Sequence, residues 1–337
     1  MSNKANVTIQ SSKVDSDLSN YPIYIDLSDL PSGFWNTVSN GGADIRAYKD
    51  DGSTQLPVEV VSCNTTTDTG EIHVKYTGTL SSSNDTTIQI WADGSSSEPA
   101  SDSTYGSENV WDSDYVLISH DGGLSDSTGN GNGGSNSGTS EKSDAKIGSG
   151  RGFSEGDTIS LGNGSFFTGE SQVTIQLWAY TDSIPDSYST YLGAFEGWDD
   201  YMILGINSNN NWWFLVEENA NSCNIAAGTP AIDSWNKLTG VFNNGNSELF
   251  VNGNSIGTDT GGTSTFPSFN PNYLIGELSG NNNHQYLVGY TDEVRIINTE
   301  LSSTWISTEY NNQSSPSTFY TASEPVTENT TNFFNFF

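Results

Sequence analysis

Residues 235–256 read WNKLTGVFNNGNSELFVNGNSI, and two Asn-Gly pairs, Asn244-Gly245 and Asn252-Gly253, cut the stretch into short pieces. A two-residue type I′ loop needs positive φ at both central positions, which Asn and Gly tolerate and most residues do not. Leu249 and Val251 fall on one side of the strand between the pairs, Glu248 and Phe250 on the other. The stretch therefore reads as a β-meander with one face in a core.

The same punctuation runs along the whole chain. Strand candidates in the first part are NVTIQ, YPIYIDL, ADIRAYK, LPVEVVS, EIHVKYT and TTIQIWA. In the last of these Ile88, Ile90 and Ala92 share a face, and Pro22 and Pro57 sit near strand starts, where a missing N–H does no harm. The second part carries YVLIS, VTIQLWAYT, YMILGIN, NWWFLVEE, SELFVNG and DEVRIIN, with turn signals between them. The expected fold is all-β, with two β-sandwich or jelly-roll domains. Residues 1–97 form a small sandwich acting as anchor or spacer, 98–110 a polar linker, 111–312 a larger sandwich, and 313–337 a tail. One short helix is expected near the C-terminal end, SSTWISTEYNN, capped by Ser302 or Ser303 and burying Trp305, Ile306 and Tyr310.

Charge narrows the partners. The 337 residues include 41 acidic and 10 basic side chains, a formal net charge of −31. Nucleic acid and anionic membranes repel such a surface, whereas salt water screens its self-repulsion. Cys63 and Cys223 are far apart and read as free small residues. The start, MSNKANVTIQ, has no hydrophobic signal core, and no stretch is long and apolar enough to span a bilayer. The expectation is a protein released by lysis within an assembled particle.

VTIQLWAYT (173–181), the opening meander (235–258) and YLIGE followed by YLVGYTDEVRIINTELSSTWISTEY (273–310) occur in order. Together they resemble the laminin-G-like, concanavalin A-like lectin/glucanase superfamily over about 111–312. The matching elements are Trp178, Trp235, the hairpin Leu249-Phe250-Val251-Asn252-Gly253 and the strand Asp292-Glu293-Val294-Arg295-Ile296. SSKVDSDLSNYPIYIDLSDL, GADIRAYKDDGSTQLPVEVVS, GEIHVKYTGTLSSSNDTTIQIWA and VWDSDYVLISHDGGLSDSTGNGN are similar to domain-of-unknown-function family 2341. That family commonly precedes a laminin-G-like module in secreted, cell-surface and viral proteins. The chain starts almost at NVTIQ, so its first sheet edge is expected to be shortened or supplied by another subunit.

Candidate sites follow from residue chemistry. Trp198, Asp199, Asp200, Tyr201 and Asn210 combine flat aromatic faces with carboxylates and an amide, the pairing a saccharide site needs. Against this, alternation puts one of Trp212 and Trp213 in the core, so the two do not both face a ligand, and Trp198, between turns, is the better exposed candidate. In the resembled superfamily calcium is often held at a sandwich rim, which makes Asp126 and Asp292 candidate ligands. The competing reading, which the residues favour, is that both carboxylates fix loops by accepting backbone N–H bonds. Gly129, Gly131 and Gly134 match G-x-G-x-x-G, but no strand–helix context follows, so a dinucleotide site is rejected.

Catalysis has little support. Glucanases of the resembled superfamily carry E-x-D-x-x-E on one strand, and no such run exists here. His73, His120 and His284 form no metal-binding pair in sequence, and G-x-S-x-G is absent. Phe333, Phe334, Phe336 and Phe337 are candidate assembly anchors, either folded on their own domain or docked on a neighbouring subunit. The expected function is a non-enzymatic component of a virus particle surface, as capsid decoration, fibre or tail adhesin, with glycans as candidate ligands. Its expected partners are copies of itself and other virion proteins. The alternatives are a free lectin-like carbohydrate-binding module and, behind it, a glycoside hydrolase.

Overall fold

The computed structural model describes residues 3–167, 169–184, 188–197, 200–267, 272–278 and 285–325. The opening stretch folds as its Asn-Gly pairs dictate. Asn244 and Gly245 have φ of 47° and 76°, and Asn252 and Gly253 have φ of 50° and 77°. Asn243 pairs with Asn246 and Val251 with Asn254, so each loop is two residues long. Leu249 lies in the sandwich core as expected. Phe250, on the opposite face, is also buried, in a second cluster with Trp111, Ile297 and Ile306.

The larger unit is a two-sheet sandwich. One sheet runs Ser140–Lys142, Gly150–Phe153, Val288–Ile297, Gln172–Ser183, Trp235–Asn243, Asn246–Val251, Asn254–Thr260, with Tyr115–Ser119 also paired to Val288–Ile297. The facing sheet runs Ser135–Ser137, Thr158–Ser160, Leu274–Ile275, Ser189–Gly197, Asp200–Ile206, Trp212–Glu218, Asn221–Ala227. Leu177, Leu238, Phe242, Val294 and Ile296 from the first sheet meet Leu192, Met202, Leu204, Trp212 and Phe214 from the second. The sheets come close where Gly240 faces Phe214, because a Cβ at 240 would lie 2.6 Å from that ring. An added methyl there must displace a close-packed aromatic, at a cost of about 1–3 kcal/mol.

The smaller unit packs a five-stranded sheet against a three-stranded one. The first has the order Tyr320–Ser323, Asn3–Ile9, Thr86–Ala92, Arg46–Lys49, Gln55–Leu56, and the second Pro22–Asp26, Thr69–Lys75, Val58–Asn64. The edge strand corrects two expectations. The edge beside Asn3–Ile9 is supplied by this chain's own Tyr320–Ser323, antiparallel, with Asn6 opposite Ser323 and Ile9 opposite Tyr320. Residues 316–323 therefore belong to the smaller unit and not to a separate tail. Phe319 and Tyr320 sit in its core, and the Tyr320 hydroxyl accepts the Asp26 N–H at 2.9 Å.

The helix Ser303–Ser314 has Ser302 as N-cap, accepting from the Trp305 N–H. Its buried positions are Ile306, Thr308, Glu309, Asn312 and Gln313, while Trp305 and Tyr310 are only half-buried. The helix is wedged between the two units, so its polar face is covered as well as its apolar one. Both cysteines are free and buried. No described helix is long and apolar enough to cross a membrane.

Candidate functional site

Strand alternation gives the facing sheet a second surface, pointing away from the core. Phe195 pairs with Tyr201, and Tyr201 with Glu217. One step along, Gly193, Ile203, Leu215 and Asn224 form the next row, and Gly205 and Trp213 the one after. Ile203, Leu215 and Leu278 make a small buried cluster on this surface, with Phe195, Tyr201 and Trp213 packed half-exposed against it. Phe195 and Tyr201 have ring centroids 4.9 Å apart, and Trp213 lies 6.1 Å from Tyr188. The Trp213 indole N–H donates to Asn224 Oδ1 at 2.9 Å, which fixes the ring plane. The result is an aromatic platform bordered by the polar side chains of Glu217, Ser222 and Asn224.

The residues expected from sequence are distributed as follows. Tyr201 is on the platform, and Asp200 begins the same strand, its Oδ1 accepting the Asn219 N–H at 2.9 Å. Trp198 and Asp199 lie outside the described residues. Asn210 sits with φ 58° in the turn after Asp200–Ile206, at the far end of the strand from Tyr201, so the structure does not bring the two together. Trp213 is the platform residue that alternation left undecided: Trp212 is in the core, and Trp213 points outward.

Asp126 and Asp292 are both engaged by backbone. Asp126 Oδ1 accepts the Thr128 N–H at 3.0 Å and its Oδ2 the Asn132 N–H at 2.8 Å. Asp292 Oδ2 accepts the Ile147 N–H at 2.7 Å and its Oδ1 the Glu293 N–H at 2.8 Å. The two share no hydrogen-bond partner among the described residues. Each carboxylate thus fixes local backbone, as the competing reading has it. Phe333, Phe334, Phe336 and Phe337 lie outside the described residues.

A second concentration of polar side chains, which no sequence motif marks, lies between the units. The outer face of the eight-stranded sheet carries Gln176, Trp178, Lys237, Glu293 and Arg295, all buried. Arg295 donates to Glu293 and to Glu309, each at 2.5 Å. Lys237 reaches Glu309 and Gln313, both at 2.7 Å, and the Trp178 indole donates to Gln313 at 2.8 Å. His120 Nδ1 lies 2.5 Å from Glu293 of the same unit, and across the joint its Nε2 lies 3.3 Å from Glu59. The Trp111 indole donates to Glu59 at 2.7 Å. His73 stacks on His120 with centroids 4.6 Å apart, and its Nε2 lies 3.2 Å from Glu71.

Burial and neighbouring charge divide these groups. Burial, with Glu293 adding to it, pushes the Glu71 carboxyl well up, and the same two causes raise Asp292. Burial also works against charge on Glu293, but His120 and Arg295 outweigh it and hold that carboxylate well down. Burial, followed by the charge on His120, keeps the His73 imidazole well below its ordinary range. His120 is held well above it, since Glu293 and Glu59 outweigh the cost of burial. Burial lowers the Lys237 ammonium to about 8. Glu293 adopts φ 50°, a left-handed conformation unusual for a side-chain-bearing residue, where its strand slips register against Gln172–Ser183. Strain of this kind persists only where the surroundings over-determine it, and here His120 and Arg295 grip the Glu293 carboxylate.

Residues 153–307 match the family described as the concanavalin A-like lectin/glucanases superfamily. No curated protein matches the chain. Among solved structures, the chain is similar to domain 4 of AbnA, an extracellular arabinanase from Geobacillus stearothermophilus in complex with arabinotriose. That likeness is at 19% identity, over 58% of this chain and 98% of that one, with a TM-score of 0.48. It is similar to Trypanosoma rangeli sialidase at 17% identity, over 59% of this chain and 32% of that one, with a TM-score of 0.46. It is also similar to the binding domain of Paraclostridial Mosquitocidal Protein 1 at 14% identity, over 58% of this chain and 52% of that one, with a TM-score of 0.47. The sandwich topology, the Asn-Gly meander and the match in sequence agree: residues 153–307 form a concanavalin A-like lectin/glucanase domain.

Proposed function

We propose that the chain is a non-catalytic glycan-binding protein whose ligand lies on the platform of Phe195, Tyr201 and Trp213. The observation that carries this reading is the half-exposed aromatic surface on a lectin-like sandwich, with Glu217, Ser222 and Asn224 along its border. Ring faces stack on the C–H surfaces of sugars, and bordering carboxylate, hydroxyl and amide groups pair with sugar hydroxyls. The absence of E-x-D-x-x-E from the sequence supports binding without hydrolysis. The smaller unit, which resembles family 2341 in its motifs, acts as anchor or spacer.

In its finer form the proposal places the protein on a virus particle, as capsid decoration, fibre or tail adhesin, beside other copies of itself and other virion proteins. The formal charge of −31 and the phenylalanine cluster at 333–337 support that placement. Glycan-array binding of the full chain beside Trp213→Ala and Tyr201→Ala tests the site. Binding lost in both variants while their folding is unchanged is the expected result. Unaltered binding in both removes the platform from the proposal, and release of reducing ends from any bound polysaccharide restores the hydrolase alternative.

A further inference from the structure

We propose that Glu71, His73, His120 and Glu293 form a structural site for a divalent transition-metal ion, with zinc as the best fit, and that the ion staples the two units together. Each unit gives two ligands. Glu71 and His73 are two apart on Thr69–Lys75 and so share a face. His120 follows Tyr115–Ser119, and Glu293 lies on Val288–Ile297, which pairs with it. One ligand atom from each of the four lies within 4.8 Å of all the others, and all four side chains are buried.

The spacing suits a small tetrahedral ion. Bonds of about 2.0–2.1 Å to nitrogen and oxygen place tetrahedral ligand atoms about 3.3 Å apart. Here His73 Nε2 is 3.2 Å and His120 Nδ1 3.6 Å from Glu71 Oε1. The His120–Glu293 contact of 2.5 Å is a hydrogen bond that the metal would open. Two imidazoles with two carboxylates form a donor set that zinc accepts, whereas calcium takes six or more oxygens.

His73 is fully buried, with its Nε2 turned toward the Glu71 carboxylate. Access is provided on both sides. A cleft of about 480 Å³ between the units is lined by Glu71 and Ser149, and a second of about 330 Å³ by His120, Glu59 and the same Ser149.

The test uses the full chain, stripped with chelator and then titrated with Zn²⁺, with Ca²⁺ as control. One zinc per chain by elemental analysis is expected, together with a rise in melting temperature of about 4 °C at zinc a hundredfold above its dissociation constant. Cobalt substitution should give visible ligand-field absorption typical of four-coordinate nitrogen and oxygen ligation. His73→Ala and the more conservative His73→Gln should both lose the metal, and either one that folds suffices as control. No retained metal and no zinc-dependent shift overturns the proposal. So does stabilisation by calcium alone, or zinc that persists at full stoichiometry in a folded His73 variant.

Discussion

Asn312 ties the helix to the smaller unit, and Asn312→Ala measures how much that tie contributes. Its side-chain Oδ1 accepts the Tyr24 N–H at 2.8 Å, and its Nδ2 donates to the Tyr24 carbonyl at 2.9 Å. Tyr24 lies on Pro22–Asp26, an edge strand of the three-stranded sheet. The amide therefore completes a strand edge as another strand would, from a helix that follows the larger sandwich. Truncation to Ala leaves one buried donor and one buried acceptor unpaired, at about 1–3 kcal/mol each. The expected loss is about 2–5 kcal/mol, which for a chain of this size lowers the melting temperature by roughly 3–7 °C. Thermal unfolding followed by tryptophan fluorescence reads the global effect. Hydrogen exchange of a peptide covering residues 22–26 reads the local one, since the Tyr24 amide loses its acceptor. Asn312→Asp keeps the acceptor for the Tyr24 N–H but turns a carboxylate oxygen toward the Tyr24 carbonyl, so at neutral pH it should destabilise at least as much. A loss below about 1 kcal/mol with unchanged exchange at 22–26 would refute the strand-edge argument.

Arg295→Met removes the cation that spans Glu293 and Glu309 and stacks at 5.1 Å on Trp111. Stranding buried carboxylates in this way should cost about 3–5 kcal/mol, measured by denaturant unfolding; a loss within error would show that the carboxylates are otherwise compensated. Asp44 accepts N–H bonds from Ser39, Asp93 and Gly94. Burial opposes its charge, but the hydrogen bonds from Ser39 and Gly94 prevail and hold it below the ordinary value near 3.8. Because its folded pKa lies below its unfolded one, its contribution is complete above the unfolded value and disappears as pH falls through the folded one. Asp44→Asn should thus destabilise at neutral pH and converge with the parent in strong acid, and parallel stability–pH curves would contradict this. On the platform, Trp213→Ala and Tyr201→Ala should each weaken glycan binding by about 5- to 30-fold, equivalent to about 1–2 kcal/mol, read by titration calorimetry against whichever glycan the array identifies.

The sandwich was legible because its signals are local. Asn-Gly pairs fix two-residue loops, and alternation assigns Leu249, Leu177 and Val294 to a core without knowledge of their partners. The outer face of the eight-stranded sheet was not legible, because Lys237, Glu293 and Arg295 follow the same alternation as residues that face water. Only the second unit and the helix bury them. His73 and His120 are stacked by the packing of two units, so no spacing in the chain announces them. The strand Tyr320–Ser323 was hidden for a related reason: its partner, Asn3–Ile9, lies at the other end of the sequence. Within the aromatic platform, Tyr201 was legible from its aromatic and acidic surroundings. Trp213 required knowing which of two adjacent tryptophans the register turns outward.

The connections between the units explain why a polar face is buried at all. An apolar joint would hold the units as firmly but would tolerate sliding, since apolar contacts are not directional. Ion pairs and side-chain hydrogen bonds are directional, and a small shift leaves buried groups unpaired at high cost. The joint accordingly combines three ties of different kinds. Tyr320–Ser323 pairs in register with Asn3–Ile9, Asn312 completes the edge at Tyr24, and Glu59 of the smaller unit meets His120 and the Trp111 indole of the larger one. Rotation of one unit against the other breaks all three together. The platform at Tyr201 and Trp213 is on the opposite sheet, away from this joint, so fixing the joint also fixes the direction in which the platform faces relative to the smaller unit. On the proposed function this property has a use, because a surface on a freely swinging arm presents its ligand site in every direction and loses the gain of many copies binding at once.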